Sequence, residues 1–446
     1  MSDNGRQQHI AIITAGGAGM FCGSCMHDNT WARALRAAGA EVTLLPTYTP
    51  IRVDEDDLSA SEVFFGGVNV YLDYAIPLWS RIPRGLTRWL DSPRVLGLAT
   101  KFSVSNNAQK LGPLTLAMLS GEMGPQRTHV EELAAFLSKD LKPDIVCFSN
   151  ALLVGALRRL REQFTGRIFC TLQGDDVFLE DLAEPHRTQA LELIRERARE
   201  FDGFLVHSRY YRDFMAEYLQ LPIEKIHVVP LGIDFKGHDG SPDSRQNERP
   251  TVGYFARICH EKGLHKLVEA FGILHARRPE VRLKVGGYLG KQNRRYFRDI
   301  ERTARAMGDA FEYHGSPSTH AEKVELLRSF DVLSVPTVYR EPKGLYVLEA
   351  LANGVPVVQP RHGAFPELVE ATGGGLLVDP ANPGDLASGL EELLYDADQR
   401  LELAKAGHAN VRAHYSAARM AEATLEIFRD GQPAAEAVVS ESVESS

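Results

Sequence analysis

Short β-branched runs alternate with helix-length amphipathic segments along this chain, and the rhythm stops once and restarts. HIAIIT, EVTLLPTY, DIVCFS, RIFCTLQ and DGFLVHS are strand-like, with a glycine-rich turn and a helix near 24–38 after the first. KIHVVPLGID then runs into FKGHDGSPDSRQNERP, a polar stretch rich in Gly, Pro and Ser that reads as a linker. Beyond it TVGYFA, VRLKVGG, FEYHG, DVLSVPT and VPVVQP alternate with helical segments such as GLHKLVEAFGILHARR and AEKVELLRSF. Strict strand–helix alternation builds a parallel sheet with helices on both faces, so the fold class is α/β: two Rossmann-like doubly wound parallel-sheet domains in tandem. A single core rarely outgrows about 250–300 residues, and a chain of 446 accordingly divides. The boundaries are placed at 1–235 for the first domain, 236–250 for the linker and 251–415 for the second. Residues 431–446, small, polar and acidic, are expected to form a disordered tail.

Composition narrows the partners. With 44% hydrophobic and 24% charged residues and a formal net charge of −9, the surface as a whole does not suit nucleic acid. The N-terminus lacks a cationic-then-apolar leader and no apolar run approaches the ~18–20 residues that span a bilayer, which points to the cytoplasm. Five cysteines, an odd number scattered over the chain, argue for reduced thiols.

In open α/β sheets ligands bind beyond the carboxyl ends of the strands. TVGYFA is followed by RICHEKG, which puts Arg257 and Lys262 just past one strand end; DVLSVPT leads into YREPKG past another. The helix opened by Gly344 begins with amides of Gly344, Leu345 and Tyr346 that have no intrahelical acceptor, and the positive end of its dipole points the same way. That is an anion site, and two cations across the cleft complete a cradle for a diphosphate without a metal. Leu345, Leu348, Leu351 and Ala352 form one apolar stripe with Glu349 at its border, where a half-buried carboxylate wants donors such as a ribose diol. Glu341, in the loop, lies where it could hold sugar hydroxyls. The plainer alternative has Glu341 favouring the helix N-terminus, worth ~0.3–1 kcal/mol, and Glu349 paired with a surface cation.

These residues resemble the retaining, nucleotide-sugar-dependent glycosyltransferases of family 4, which have the GT-B fold, two such domains facing across a cleft. FARICHEKGLHKLVEAF is similar to that family's Arg-x4-Lys segment, EPKGLYVLEALANGVPVV to its Glu-x7-Glu signature, and GAFPELVEATGGGLLVDPANPGDLA to the segment downstream. TAGGAGMFCGSCMHDN and SRYYRDFMAEYLQLPIEKIHVVPLGID fit the family's first domain more loosely. The resemblance implies Arg257 and Lys262 on the donor diphosphate, Glu341 on the transferred sugar, Glu349 on the ribose, and the amides of Gly344 to Tyr346 on the phosphates. It implies a nucleotide diphosphate sugar as donor, a glycan, lipid or small-molecule acceptor, and no metal or other cofactor. It also implies a last helix, 416–430, crossing back to the first domain. Where many members carry a histidine near the sugar this chain has Gln173, which cannot take a proton. A nucleotide-sugar epimerase of the same fold, or a non-catalytic sugar-nucleotide-binding protein, are the rival readings.

In the first domain Gly16, Gly17 and Gly19 follow the first strand. They lack G-x-G-x-x-G spacing, and TLLPTYT ends without the acidic residue a nicotinamide-dependent oxidoreductase needs; a close-approach loop over donor phosphate or acceptor is preferred. Cys22 and Cys25 have no second pair at zinc spacing. His27 and Asp28 on the following helix could contact the acceptor or serve as cap or surface residues, and Asp175, next to Asp176 past a strand end, could meet an acceptor hydroxyl. The acidic run Asp54 to Asp57 reads as a solvated loop. The segment 78–102 mixes Trp79 and Trp89 with Arg81, Arg84, Arg88, Arg94 and Lys101, a pattern that suits either a membrane interface or an acceptor groove.

Overall fold

The computed structural model describes residues 7–16, 23–48, 51, 53–60, 108–244 and 247–430. Gly17, Gly19, Cys22, the segment 78–102 and the tail 431–446 lie outside the described residues. Two six-stranded sheets carry the fold. The first comprises β1 (His9–Thr14), β2 (Glu41–Pro46), β3 (Ile145–Phe148), β4 (Arg167–Thr171), β5 (Gly203–Val206) and β6 (Ile226–Val228), in the order β2-β1-β3-β4-β5-β6. The second comprises β7 (Thr251–Phe255), β8 (Arg282–Gly286), β9 (Phe311–Gly315), β10 (Val332–Leu333), β11 (Val357–Pro360) and β12 (Gly375–Val378), in the order β12-β11-β10-β7-β8-β9. Every strand pair is parallel.

Helices on both faces explain why these strands are apolar along their length: every residue of HIAIIT, IVCF and VVQP is buried. The covering helices show the complementary period. In Leu264–Arg277 the inward residues are Leu264, Leu267, Val268, Phe271 and Leu274, a 3.6-residue stripe. The strand order reverses between β1 and β3 in one sheet and between β7 and β10 in the other, and crevices open at such reversals.

Two chain crossings join the halves side by side. Ile233 donates its amide to Tyr415 O at 3.0 Å, and Ala417 donates to Ile233 O at 2.9 Å. The helix Ala417–Asp430 that follows lies on the helix Gly23–Ala37: Met420, Ala421, Ile427 and Phe428 join a core with Trp31, Leu35, Ile10 and Phe169. The indole of Trp31 donates to Thr424 Oγ1 at 3.0 Å.

The run Asp54 to Asp57 departs from the expected solvated loop. Asp56 is 81% exposed, whereas the Asp54 side chain is 7% exposed and accepts from Lys323 Nζ at 2.6 Å. The reason is local. Asn29 bonds Asp56 O and the amide of Leu58, and Arg33 bonds Glu55, so the loop is folded back on its helix and Asp54 is aimed at the second domain.

Ile427 is 1% exposed. Ile427→Ala is expected to lower unfolding stability by about 2–5 kcal/mol in urea titrations, while a loss under about 0.5 kcal/mol would show that the last helix does not dock this way.

Candidate functional site

The loop after β7 and the loop after β10 meet at the reversal of the second sheet. Gly263 makes that approach feasible: with φ of +70°, a Cβ there would fall 1.8 Å from Pro336 O. The close passage brings Lys262, at the end of the short turn His260–Lys262, against Glu341. Gly344, φ +80°, then turns the chain into the helix Leu345–Ala352, a left-handed cap conformation that costs an L-residue roughly 1–2 kcal/mol.

Lys262 Nζ donates to Glu341 Oε2 at 2.6 Å and to Tyr339 OH at 2.6 Å. The same carboxylate oxygen accepts from Tyr339 OH at 2.8 Å and Tyr346 OH at 2.9 Å, and the ammonium lies 5.0 and 5.2 Å from the two ring centroids. Burial of Glu341 would by itself raise its carboxyl pKa; Lys262 and the two phenols outweigh it and hold the group at about 2. The phenols, pushed well above their ordinary range by burial and then by Glu341, stay protonated as donors. An ammonium has three donors, and two are engaged here. Arg257 stands exposed on the same loop, its carbonyl fixed by Tyr254 OH at 3.2 Å and its charge near enough to act on Tyr339. Lys262, Glu341 and Tyr346 thus meet where the two loops touch, beside Gly344 and Leu345, with Arg257 on the loop of Lys262.

Glu349 sits further along the same helix, buried, and its partner is buried as well: Lys323 Nζ donates to Glu349 Oε1 at 2.8 Å. Burial disfavours charge on Lys323, but Glu349 and Asp54 together outweigh it and keep it protonated.

The first sheet brings its own polar cluster to the opposite wall. Gln173 follows β4, and its amide donates to Ser149 O at 2.7 Å and Asp28 Oδ1 at 3.1 Å while Oε1 accepts from Lys343 Nζ at 2.7 Å. Gln173 therefore bridges the domains, with both its amide hydrogens used. Asp175 accepts from the amides of Ala151 at 2.5 Å and Gln173 at 2.9 Å, which ties the loops after β3 and β4 together. Thr14 Oγ1 donates to Asp28 Oδ2 at 2.8 Å. His27 is fully buried beside Asp28, 3.2 Å away, with its ring 4.4 Å from that of His207, and the Nε2 atoms of both imidazoles lack a hydrogen-bond partner among the described residues. Two more contacts fasten the walls: Ser208 Oγ donates to Pro342 O at 3.2 Å, and the amide of Arg209 at a helix start donates to Glu367 Oε2 at 2.8 Å. Cys25 is buried, and no group of three or more His, Cys, Asp or Glu able to hold a metal occurs among the described residues.

Sequence reasoning passed over the phenols of Tyr339 and Tyr346, Lys343, His207, and the Lys323–Asp54 pair. Lys323 left a signal. It stands three and four positions before Leu326 and Leu327, so a cation lies on the apolar face of its helix.

Burial is the largest influence on Asp28 and Asp175 and raises both to about 6. Ordinary aspartate titrates near 3.9, so between about pH 4 and 6 the folded state keeps protons that the unfolded chain has released. Each group then costs stability above pH 6, and the cost fades as pH falls. Wild type is expected to gain stability relative to Asp28→Asn on acidification from pH 7 to pH 4, by on the order of 1–3 kcal/mol in parallel urea titrations; a pH-independent difference would contradict a raised Asp28.

The chain matches two family models in tandem: the glycosyl transferase 4-like domain over residues 29–232 and glycosyl transferases group 1 over residues 241–410. D-inositol 3-phosphate glycosyltransferase of Paenarthrobacter aurescens is 30% identical over 49% of this chain and 55% of that protein. Alpha-maltose-1-phosphate synthase of Mycolicibacterium smegmatis is 31% identical over 49% of this chain and 60% of that one. The chain thus spans little more than half the length of these curated relatives. Among solved structures, sucrose-phosphate synthase of Thermosynechococcus elongatus superposes with a TM-score of 0.68 over 95% of this chain and 98% of that one at 21% identity. HepE of Anabaena in complex with UDP gives 0.65 over 94% and 99% at 17%. With both halves matched in order, and the two-sheet architecture shared with these structures, the chain belongs to the family 4 glycosyltransferases of GT-B fold.

Proposed function

We propose that this protein transfers a sugar from a nucleotide diphosphate sugar to an acceptor hydroxyl, with retention at the anomeric carbon. The observation that carries this reading is the contact of Lys262 with Glu341, beside Tyr346 at the opening of the helix Leu345–Ala352, with Arg257 exposed on the loop of Lys262. A diphosphate needs cations and oriented N–H donors in a site that need not reorganise as charge develops. Lys262 has a donor left after serving Glu341 and Tyr339. Glu341, ionised at any working pH, is suited to accept from sugar hydroxyls, and Glu349 from the ribose.

In the reaction the bond from the anomeric carbon to the diphosphate breaks through an oxocarbenium-like state. Lys262, Arg257 and the helix amides stabilise the departing phosphate, which takes the proton of the acceptor hydroxyl as that oxygen attacks from the same face. The protein's contribution is placement and charge stabilisation. Residues 1–235 supply the acceptor side in this reading and 251–415 the donor side. His27, Gln173 and Asp175 would shape the acceptor pocket, Gln173 and Asp175 by holding loops and Lys343 in place. Relatives named for inositol 3-phosphate and maltose 1-phosphate support a small-molecule acceptor over a glycan or a lipid. Among the described residues no helix is long and apolar enough to cross a membrane. A cytoplasmic enzyme with peripheral docking through 78–102 rests on the Trp and Arg pattern of that segment, and absence of binding to anionic liposomes at low salt would remove the docking.

Loss of one transition-state donor commonly costs ~2.7–4 kcal/mol. Arg257→Ala is therefore expected to lower kcat about a hundredfold or more with the fold intact by circular dichroism; unchanged turnover would remove Arg257 from the site. A thermal-shift panel of UDP, GDP and ADP identifies the base, since occupancy at ~100 times Kd adds ~2.7 kcal/mol. No shift with any of the three would count against the donor reading.

A further inference from the structure

A buried ammonium joins the two domains beside the helix Leu345–Ala352. Lys323, on the helix His320–Arg328, is 4% exposed, and its Nζ lies 2.8 Å from Glu349 Oε1 and 2.6 Å from Asp54 Oδ2. Glu349 belongs to the helix Leu345–Ala352, whose start is proposed above to hold the diphosphate, whereas Asp54 comes from the first domain, on the loop tied to the helix Gly23–Ala37. Asp54 Oδ1 is buried with no hydrogen-bond partner among the described residues, and His320 Nδ1, which likewise has none among them, lies 3.6 Å from Asp54 Oδ2. Burying two carboxylates and one ammonium is costly unless the geometry is good, and such a cluster is weak evidence for stability alone. What it does supply is placement. With one oxygen held by Lys323, the Glu349 carboxylate cannot rotate freely, and the loop that anchors Lys323 belongs to the other domain.

We propose that Lys323 is a positioning residue for donor recognition: held by Asp54 of the first domain, it fixes the Glu349 carboxylate in the orientation that reads the ribose hydroxyls. This rests on the assignment of Glu349 to the ribose. Ribose recognition then depends on the apposition of the two domains, because the anchor of the reading carboxylate lies across the domain boundary. Purely structural support would weaken every nucleotide alike, whereas a positioning role acts on the ribose hydroxyls alone.

Calorimetric titration with UDP, GDP and ADP, each beside its 2′-deoxy and 3′-deoxy counterparts, separates the cases. Wild type is expected to prefer the ribonucleotide that binds by about tenfold or more over at least one deoxy analogue, the usual scale for a hydrogen bond to a charged group. In Lys323→Met that preference is expected to collapse to within about threefold, through loss of ribonucleotide affinity with the deoxy analogue little changed. Should Lys323→Met fail to fold, Asp54→Ala, which leaves the Lys323–Glu349 pair balanced in charge, is expected to fold and to lose most of the same preference. A wild-type preference retained in either folded variant, or parallel weakening of ribo and deoxy ligands, overturns the proposal. Glu349→Gln distinguishes the two levels: a preference that survives it sinks the ribose assignment itself, whereas a preference lost there but retained in Lys323→Met and Asp54→Ala sinks only the role of Lys323.

Discussion

The ion pair between Lys262 and Glu341 organises the second domain's crevice. Its partners lie 79 positions apart in sequence and meet at 2.6 Å because β7 and β10 are neighbours in the sheet and Gly263 lets their loops touch. A carboxylate that is 3% exposed would be untenable alone. Lys262 and two phenols make it tenable, and in doing so they fix the loop that runs through Pro342 and Gly344 into the helix. Deleting one member of such a pair typically costs 3–5 kcal/mol, since the other charge is left buried. The pair therefore holds the loop that leads into the helix Leu345–Ala352 and fixes the Lys262 ammonium beside its start.

The two halves meet through the ends of their strands. Lys343 reaches Gln173, Ser208 reaches Pro342, and Glu367 takes the amides at the start of the helix Arg209–Tyr218. Each contact joins a residue just past a strand or at a helix start in one domain to its counterpart in the other. A ligand held between these walls would meet loops already fixed by these contacts, with Arg257 and Lys262 carried on one of them. The first-domain wall differs in character. Asp28 and His27 are buried and His207 half-buried, Asp28 with a raised pKa and the two histidines with lowered ones, so the imidazoles are held neutral beside that carboxyl.

Periodicity in the sequence was enough to read the alternating architecture, because strands buried on both faces must be continuously apolar and their helices must carry a 3.6-residue stripe. The edge strand β12 was less legible: GLLV follows two glycines, is only partly buried, and lacks the long apolar run of the central strands. Arg257, Lys262, Glu341 and Gly344 were legible because each stands at a fixed offset from a strand end or helix start. Their mutual contacts were not, since pairing across β7 and β10 depends on sheet order. Lys323 and Asp54 were hidden for opposite reasons. The lysine was absorbed into an amphipathic helix, and the aspartate into an acidic run that looked solvated, although only the packing of its loop decides which of its four carboxylates turns inward.

The most direct measurement is a structure of the protein bound to the nucleoside diphosphate sugar that stabilises it best. The account predicts diphosphate oxygens within hydrogen-bond reach of Lys262 Nζ and of the amides of Leu345 and Tyr346, with Glu341 still paired to Lys262. A nucleotide bound elsewhere, or a diphosphate that leaves those amides and Lys262 untouched, would contradict it.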